Sequence, residues 1–240
     1  MRLSGRFSEA LVYAAAVHAD QRRKVSGEPY LAHLLGAAAI VLEHGGNEDE
    51  AIAALLHDTI EDQGGAALRE EIRRRFGPAV LEIVEGCSDT ESPAQSPSPP
   101  APLPASGARG EGFLIGNGSE PPLPASGARG EGFLAAGRSK PPWRQRKEAH
   151  VARLRRASAS IRLVSAADKL HNARALLREY RLCGESVWGH FRGGREGTLW
   201  YYRAVADVLK QSGTSPLVEE LDRVVGEIER LASRRGEKSS

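Results

Sequence analysis

Apolar residues recur at helical spacing along most of this chain. The clearest case is the segment "PLVEELDRVVGEIERLAS" near the C-terminus, whose apolar positions follow the helical period: Leu217, Leu221, Val224, Val225, Ile228 and Leu231. Aromatic and β-branched residues are sparse, whereas Ala, Leu, Arg and Glu are plentiful. The pattern therefore predicts an all-α fold, built as a bundle of helices around one core.

Capping signals predict where the first helices begin and end. Ser8 is expected to cap a helix that runs to about Ala19, and Pro29 suits the first turn of a second helix over residues 28–44. Asn47 and Glu50 have the spacing of a capping box. We expect that third helix to end near residues 64–65. Further helices are predicted over residues 66–76, 78–89, 143–158, 158–182, 195–213 and 216–233.

The helical pattern stops between residues 92 and 142. This stretch holds 11 of the 14 prolines and contains "PLPASGARGEGFL" twice, at residues 102–114 and 122–134. Such a segment buries too little apolar surface to offset its conformational entropy. A Pro-rich docking segment is the alternative, but the repeat lacks a strong PxxP pattern with Arg. The sequence predicts a single domain over residues 1–240, interrupted by a long disordered Pro/Gly-rich insertion over residues 92–142.

Composition and charge narrow the class of protein. A net charge of +2 gives no general attraction to nucleic acid or to a membrane surface. No apolar run approaches the roughly 20 residues that span a bilayer, and the N-terminal segment reads as an amphipathic helix rather than a signal peptide. Cys87 and Cys183 lie far apart without a CxxC pattern. We therefore expect a cytoplasmic protein with no nucleic-acid or membrane partner.

The segment "LLHDTIED" concentrates candidate chemistry. His57 and Asp58 are adjacent, and Glu61 and Asp62 follow four positions later. On one continuous helix, residues four apart share a face, so His57 would stack over Glu61 and Asp58 over Asp62. Two readings follow from the residues alone. The cluster is either a solvated helix end or half of a metal site with carboxylates beside it.

Two distant residues suit the other half of such a metal site. His33 lies among Ala, Leu and Ile residues of the second predicted helix, and Asp168 lies in the middle of an apolar helix. A carboxylate in that position is costly unless it is paired or bound to metal. Together with His57 and Asp58 they form a mixed nitrogen and oxygen donor set, which suits Mn²⁺, Fe²⁺, Co²⁺ or Zn²⁺. A satisfied core histidine and an Asp–Arg pair remain the alternatives.

Three motifs in their order resemble one known family. The segments "HADQRRKVSGEPYLAHLL", "AALLHDTIEDQGG" and "VSAADKLHNAR" are similar to the HD-superfamily hydrolase domain of RelA/SpoT homologues, which removes the 3′-pyrophosphate of (p)ppGpp. The resemblance covers about residues 7–87 and 143–202. It implies an HD-domain helical bundle, and it is nearest to the short, single-domain alarmone hydrolases because the chain shows no synthetase or regulatory regions.

The resemblance also implies a role for individual residues. His33, His57, Asp58 and Asp168 match the metal ligands of the family, in which the ion is Mn²⁺. Glu61 and Asp62 match the pair that positions and deprotonates the attacking water. The positions that match substrate-contacting residues are Arg23, Lys24, Ser26, Asn172, Arg174 and Tyr202. Two departures are visible, since Val25 separates Lys24 from Ser26 and Leu34 follows His33 where Pro is common.

Three functions are compatible with these motifs. The leading prediction is a Mn²⁺-dependent hydrolase that converts ppGpp to GDP and pyrophosphate, with a small-molecule nucleotide as its substrate. A second enzyme would use the same site on another nucleotide, such as NADPH or a nucleoside monophosphate. A non-catalytic HD-fold nucleotide-binding module is the alternative from a different class, although all the matched ligands and both carboxylates are present.

Overall fold

Helices make up the regular structure of this protein wherever it is described. The computed structural model describes residues 2–60, 66–88 and 141–236, with side chains as far as residue 234. Its elements are α1 (Gly5–Val17), α2 (Leu31–Glu43), α3 (Glu48–Leu56), α4 (Ala66–Phe76), α5 (Pro78–Cys87), α6 (Trp143–Arg156), α7 (Ala159–Cys183), a 3₁₀ helix (Gly184–His190), α8 (Gly194–Ser212) and α9 (Pro216–Gly236). The predicted all-α fold is confirmed.

Helix α7 is the centre of the bundle. It packs against α2, α3, α5, α8, α9 and the 3₁₀ helix. Ser158 caps it by accepting a hydrogen bond from the Ile161 backbone N–H. Buried apolar residues occur on several of its faces, as expected for a helix surrounded by others, and the most deeply buried of them include Val164, Ala166, Ala167, Leu170 and Ala173. Asp168 lies within this apolar stretch, so the fold buries a carboxylate at its centre.

Several predicted helix ends are confirmed. The capping box is present, because Asn47 Oδ1 accepts from the Glu50 N–H at 3.0 Å and Glu50 Oε2 accepts from the Asn47 N–H at 2.7 Å. Gly77 takes a φ of 94°, which an L side chain rarely adopts, and Pro78 follows at the start of α5. The chain therefore turns sharply between α4 and α5, as the Gly-Pro pair predicted.

Two predicted boundaries are wrong. Helix α1 is capped by Ser4, which accepts from the Arg6 N–H, and Ser8 lies inside the helix. Pro29 precedes α2 and pairs with Arg22 in an isolated antiparallel bridge, so that helix begins only at Leu31. The pairing of Pro29 with Arg22 thus outweighs the preference of proline for the first turn of a helix. Helix α3 ends at Leu56, and the chain is helical again at Thr59 and Ile60 after a two-residue turn. The predicted end near residues 64–65 lies outside the described residues.

The predicted insertion over residues 92–142 falls outside the described residues except for Pro141 and Pro142, which are exposed just before α6. Glu61 and Asp62 also lie outside the described residues. Among the helices of the described ranges, none combines the length and the apolar character needed to cross a membrane.

Candidate metal centre

Three separate parts of the chain bring their polar side chains to one buried point. His33 comes from α2, His57 and Asp58 from the turn after α3, and Asp168 from the middle of α7. One ligand atom each from His33, His57 and Asp58 lies within 4.8 Å of the others. Asp168 Oδ1 lies 3.2 Å from His33 Nε2 and 3.5 Å from His57 Nε2. All four predicted ligands are therefore neighbours.

Local structure explains how α3 places His57 and Asp58 at the site. From Ala51 to Leu56 the helix is wholly buried, so it emerges from the core directly at the site. The predicted continuous helix through residues 57–62 is wrong at its start, because His57 and Asp58 form a turn. That turn aims both side chains at one point, with His57 Nε2 3.0 Å from Asp58 Oδ2.

The two histidines present their Nε2 atoms without a hydrogen-bond partner. His57 Nδ1 lies 2.8 Å from the Ala54 carbonyl oxygen, which can only accept, so Nδ1 carries the donated proton. His33 Nδ1 lies 2.9 Å from His171 Nδ1. Both Nε2 atoms are buried and unpartnered. Buried polar atoms normally have partners, and imidazoles held through one nitrogen with the other left free are typical of metal ligands. These residues fit a divalent cation.

Electrostatics in this cluster also favour a cation. Burial alone would lower the pKa of His57, but the Asp58 and Asp168 carboxylates raise it well above its usual value. Burial would raise the pKa of both carboxyls, yet His57 lowers that of Asp58, and Lys169 together with His57 lowers that of Asp168. Two ionised carboxylates thus face a positive charge that a metal ion can replace.

Further side chains hold the two carboxylates in place. The Tyr30 hydroxyl donates to Asp58 Oδ2 at 2.5 Å. Asp168 receives two donors, Lys169 Nζ at 2.6 Å from Oδ2 and Asn172 Nδ2 at 2.5 Å from Oδ1. Outer partners of this kind fix the orientation of a ligand and tune its charge. Asn172, predicted to contact substrate, contacts a candidate metal ligand in this structure.

The predicted substrate residues that precede α2 lie beside the cluster. The guanidinium carbon of Arg23 lies 6.0 Å from the ring centroid of Tyr30. Lys24 and Ser26 are exposed in the turn that follows. Burial raises the pKa of Tyr202 to about 12, and Arg23 is among the charged groups close enough to oppose that shift. Arg23 and Tyr202 are thus within electrostatic range of each other, and Lys24 and Ser26 follow Arg23 on an exposed turn.

Arg174 occupies a different position from the other predicted substrate residues. Its guanidinium is exposed and pairs with Glu220 of α9, with Nε at 3.0 Å and Nη2 at 2.5 Å from Oε1. It lines a shallow groove of about 420 Å³ together with Leu177, Arg178, Arg181 and Leu182. A substrate phosphate would have to compete with Glu220 for this side chain.

Sequence reasoning missed three residues of the site: Tyr30, Lys169 and His171. His171 lies three positions after Asp168 on the same helix, and Tyr30 lies three positions before His33. Burial lowers the pKa of His171 to about 4, and the neighbouring His33 and Arg23 contribute to the shift. Helical spacing from a predicted ligand could have found Tyr30 and His171, since side chains three apart share a face. Lys169 is adjacent to Asp168, and that spacing does not select it.

Comparisons with known proteins agree with the motifs. The profile of a family described as "HD domain" matches residues 10–101. A protein of Aquifex aeolicus named guanosine-3′,5′-bis(diphosphate) 3′-pyrophosphohydrolase is 46% identical over 77 residues, which are 32% of this chain and 11% of that protein. The Xenopus tropicalis protein of the same name, designated MESH1, is 45% identical over 87 residues, 35% of this chain and 48% of that protein. The predicted resemblance is confirmed.

Solved structures share the fold over most of the chain. The structure of a metazoan ortholog of SpoT, described as hydrolysing ppGpp, has a TM-score of 0.61 at 23% identity and covers 93% of this chain and 96% of that one. A Listeria monocytogenes protein has a TM-score of 0.54 at 22% identity, over 85% and 99% of the two chains. This chain therefore shares its fold with these two solved structures. This chain spans about a tenth of the Aquifex protein and about half of the Xenopus protein.

Proposed function

We propose that this protein is a metal-dependent phosphohydrolase that removes the 3′-pyrophosphate of (p)ppGpp, giving GDP and pyrophosphate from ppGpp. The observation that carries the proposal is the pair of buried, unpartnered Nε2 atoms of His33 and His57, which face Asp58 and Asp168 on an HD-domain fold. A solvated helix end would not leave two imidazole nitrogens buried beside two carboxylates. A cytoplasmic location is part of the proposal, and the free thiols Cys87 and Cys183 are compatible with it.

His33, His57, Asp58 and Asp168 would hold the divalent ion. Their two nitrogen and two carboxylate donors suit a transition metal of intermediate softness, and we propose Mn²⁺. When bound, the ion would polarise a phosphoryl oxygen and offset charge that develops in the transition state. Tyr30, Lys169 and Asn172 would keep the carboxylates oriented before the substrate arrives, because each already donates to one of them.

The remaining steps belong to side chains around the metal centre. We propose that Glu61 or Asp62 accepts the proton of the attacking water, since both follow the His57–Asp58 turn by only a few residues. Arg23 and Lys24 would pair with the phosphates of the nucleotide, and Tyr202 would line the nucleotide site beside Arg23. Ser26, Asn172 and Arg174 complete the proposed substrate set. Arg174 would have to exchange Glu220 for a phosphate.

The choice of substrate is supported by similarity. Two relatives that match about a third of this chain carry the name of a ppGpp 3′-pyrophosphohydrolase, one from a bacterium and one from an animal. The substrate's dense negative charge also suits a site flanked by Arg23 and Lys24.

Purified protein incubated with ppGpp and a series of divalent cations tests the proposal directly. We expect GDP and pyrophosphate to appear with Mn²⁺, and His57→Ala to show neither metal content nor turnover. A parallel panel with NADPH and nucleoside monophosphates identifies the substrate. Turnover confined to one of those nucleotides would reassign it, and wild-type protein that binds metal yet hydrolyses nothing would favour a binding module.

A further inference from the structure

Two histidine rings meet edge to edge beside the metal centre. His171 Nδ1 lies 2.9 Å from His33 Nδ1, and the two ring centroids are 4.9 Å apart with the rings tilted by 51°. Two imidazole nitrogens at this distance share one proton, so one ring donates and the other accepts. Which ring donates decides what His33 can do at its other nitrogen.

The proposed metal site decides the direction of this hydrogen bond. Were His33 to accept at Nδ1, its neutral ring would carry the proton on Nε2. That atom is buried 3.2 Å from Asp168 Oδ1, so the proton would point at this carboxylate and occupy the nitrogen that a metal ion needs. A proton there would block metal binding, whereas a proton on Nδ1 leaves an Nε2 lone pair aimed at the cluster.

We propose that His171 is a positioning residue that accepts the His33 Nδ1 proton, holding the ring in the tautomer and orientation needed for metal binding. The inference rests on the proposed metal site, and it is independent of the identity of the substrate. It gives His33 the same kind of support that the Ala54 carbonyl gives His57. Both candidate imidazole ligands are then held through Nδ1.

Gly36 provides the space that this contact needs. A Cβ at residue 36 would lie 2.2 Å from His171 Cδ2 and 2.3 Å from its Nε2, far closer than real atoms approach. His33 and Gly36 are three residues apart and share a face of α2. The same turn of α2 therefore supplies the ligand and the gap that admits its supporting ring. This steric fit is an observation separate from the hydrogen bond.

Paired substitutions at His171 test the hydrogen bond. His171→Asn retains an acceptor near the Nδ1 position, whereas His171→Leu fills similar space without one. Mn²⁺ titration calorimetry on the full chain should show affinity about 10- to 100-fold weaker for His171→Leu and close to wild type for His171→Asn. His44→Gln is the matched control, because His44 follows the opposite end of α2, and it should bind as wild type does.

A double-mutant cycle tests the space at Gly36. Gly36→Ala alone should weaken Mn²⁺ binding and lower the melting temperature of the metal-free protein, since the added methyl displaces the His171 ring. In a His171→Ala background the same change should cost little further, because the ring it collides with is gone. Equal costs of Gly36→Ala in both backgrounds would overturn the assigned role of the gap.

The outcomes separate this inference from the proposed function. Wild-type protein that binds none of the tested cations overturns both the metal site and the role of His171. Metal binding by His171→Leu as tight as by wild type overturns the positioning role alone. Rescue of Mn²⁺ affinity by Asn, at a melting temperature similar to that of the Leu variant, supports positioning, because a purely structural residue would move stability without this contrast.

Discussion

Two polar networks in this protein differ in whether all their polar atoms have hydrogen-bond partners. Between α8 and α9, Arg203 donates to Glu229 Oε1 at 3.1 Å and Oε2 at 2.6 Å and to Asp222 Oδ1 at 2.6 Å, and Lys210 donates to Asp222 Oδ2 at 2.7 Å. In the metal centre, two imidazole nitrogens have no hydrogen-bond partner. The first network is partly exposed, whereas the second is buried.

The difference is the one expected between a structural network and a ligand-binding one. In the Arg203 network, donors and acceptors are matched. The hydrogen bonds from Lys210 and Arg203 therefore lower the pKa of Asp222. The candidate metal centre concentrates two carboxylates and two buried imidazole Nε2 atoms without hydrogen-bond partners. An arrangement of that kind is costly to bury, and a bound cation would satisfy it.

The largest expected effect comes from removing a metal ligand. His57→Ala should abolish Mn²⁺ binding and lower ppGpp hydrolysis by more than about 100-fold, since losing even an outer partner of a metal site costs up to that much. Metal content by mass spectrometry and product formation by chromatography measure the two effects. Metal retention by this variant at the wild-type level would contradict the assignment of His57.

Glu61→Gln and Asp62→Asn should separate proton transfer from metal binding. We expect the variant that removes the general base to lose about 10²- to 10⁴-fold in kcat while it still binds Mn²⁺. The other variant should retain more activity, and this identifies the base. If both variants keep wild-type kcat, neither carboxylate accepts the proton.

Acidification should weaken Mn²⁺ binding. Asp58 and Asp168 raise the pKa of His57, so in the metal-free protein His57 remains protonated at pH values where an ordinary histidine is neutral. A metal ion must displace that proton, and affinity should fall about tenfold for each unit of pH when one proton is released. Calorimetry in buffers of different ionisation enthalpy counts the proton. An affinity independent of pH across the neutral range would argue against this coupling.

Arg203→Met should affect stability alone. Partly exposed ion pairs contribute little, so we expect a loss of about 1 kcal/mol in the free energy of unfolding and a melting temperature lower by about 2–4 °C. Added salt should reduce the difference between variant and wild type. Mn²⁺ affinity should not change, and a fall in affinity at unchanged stability would show that the two networks are coupled.

The smallest effect is expected from deletion of residues 92–140. The Pro/Gly-rich composition of this segment predicts no contribution to the core, and the cost of loop closure varies only slowly with length. Melting temperature and ppGpp turnover should both stay near the wild-type values. A marked loss of either would assign the segment a role in folding or in access to the site.

Sequence pattern predicted the helices better than it predicted their ends. The capping box of Asn47 and the break at Gly77 depend on residues adjacent in the chain, and both are confirmed. Ser4 rather than Ser8 caps α1, and its backbone N–H and hydroxyl also donate to Glu48 of α3. A contact between distant segments selects which of two serines becomes the cap, and local propensity does not contain that information.

The candidate site shows the same division. The sequence by itself predicted an all-α fold, and the resemblance carried by its three motifs predicted His33, His57, Asp58 and Asp168 as metal ligands. Only the tertiary structure decided that His57 and Asp58 leave α3 as a turn, that both Nε2 atoms are left free, and that His171 reaches His33 across the gap at Gly36. These features depend on how α2, α3 and α7 pack, since hydrogen-bond direction and steric fit arise only when separate helices meet.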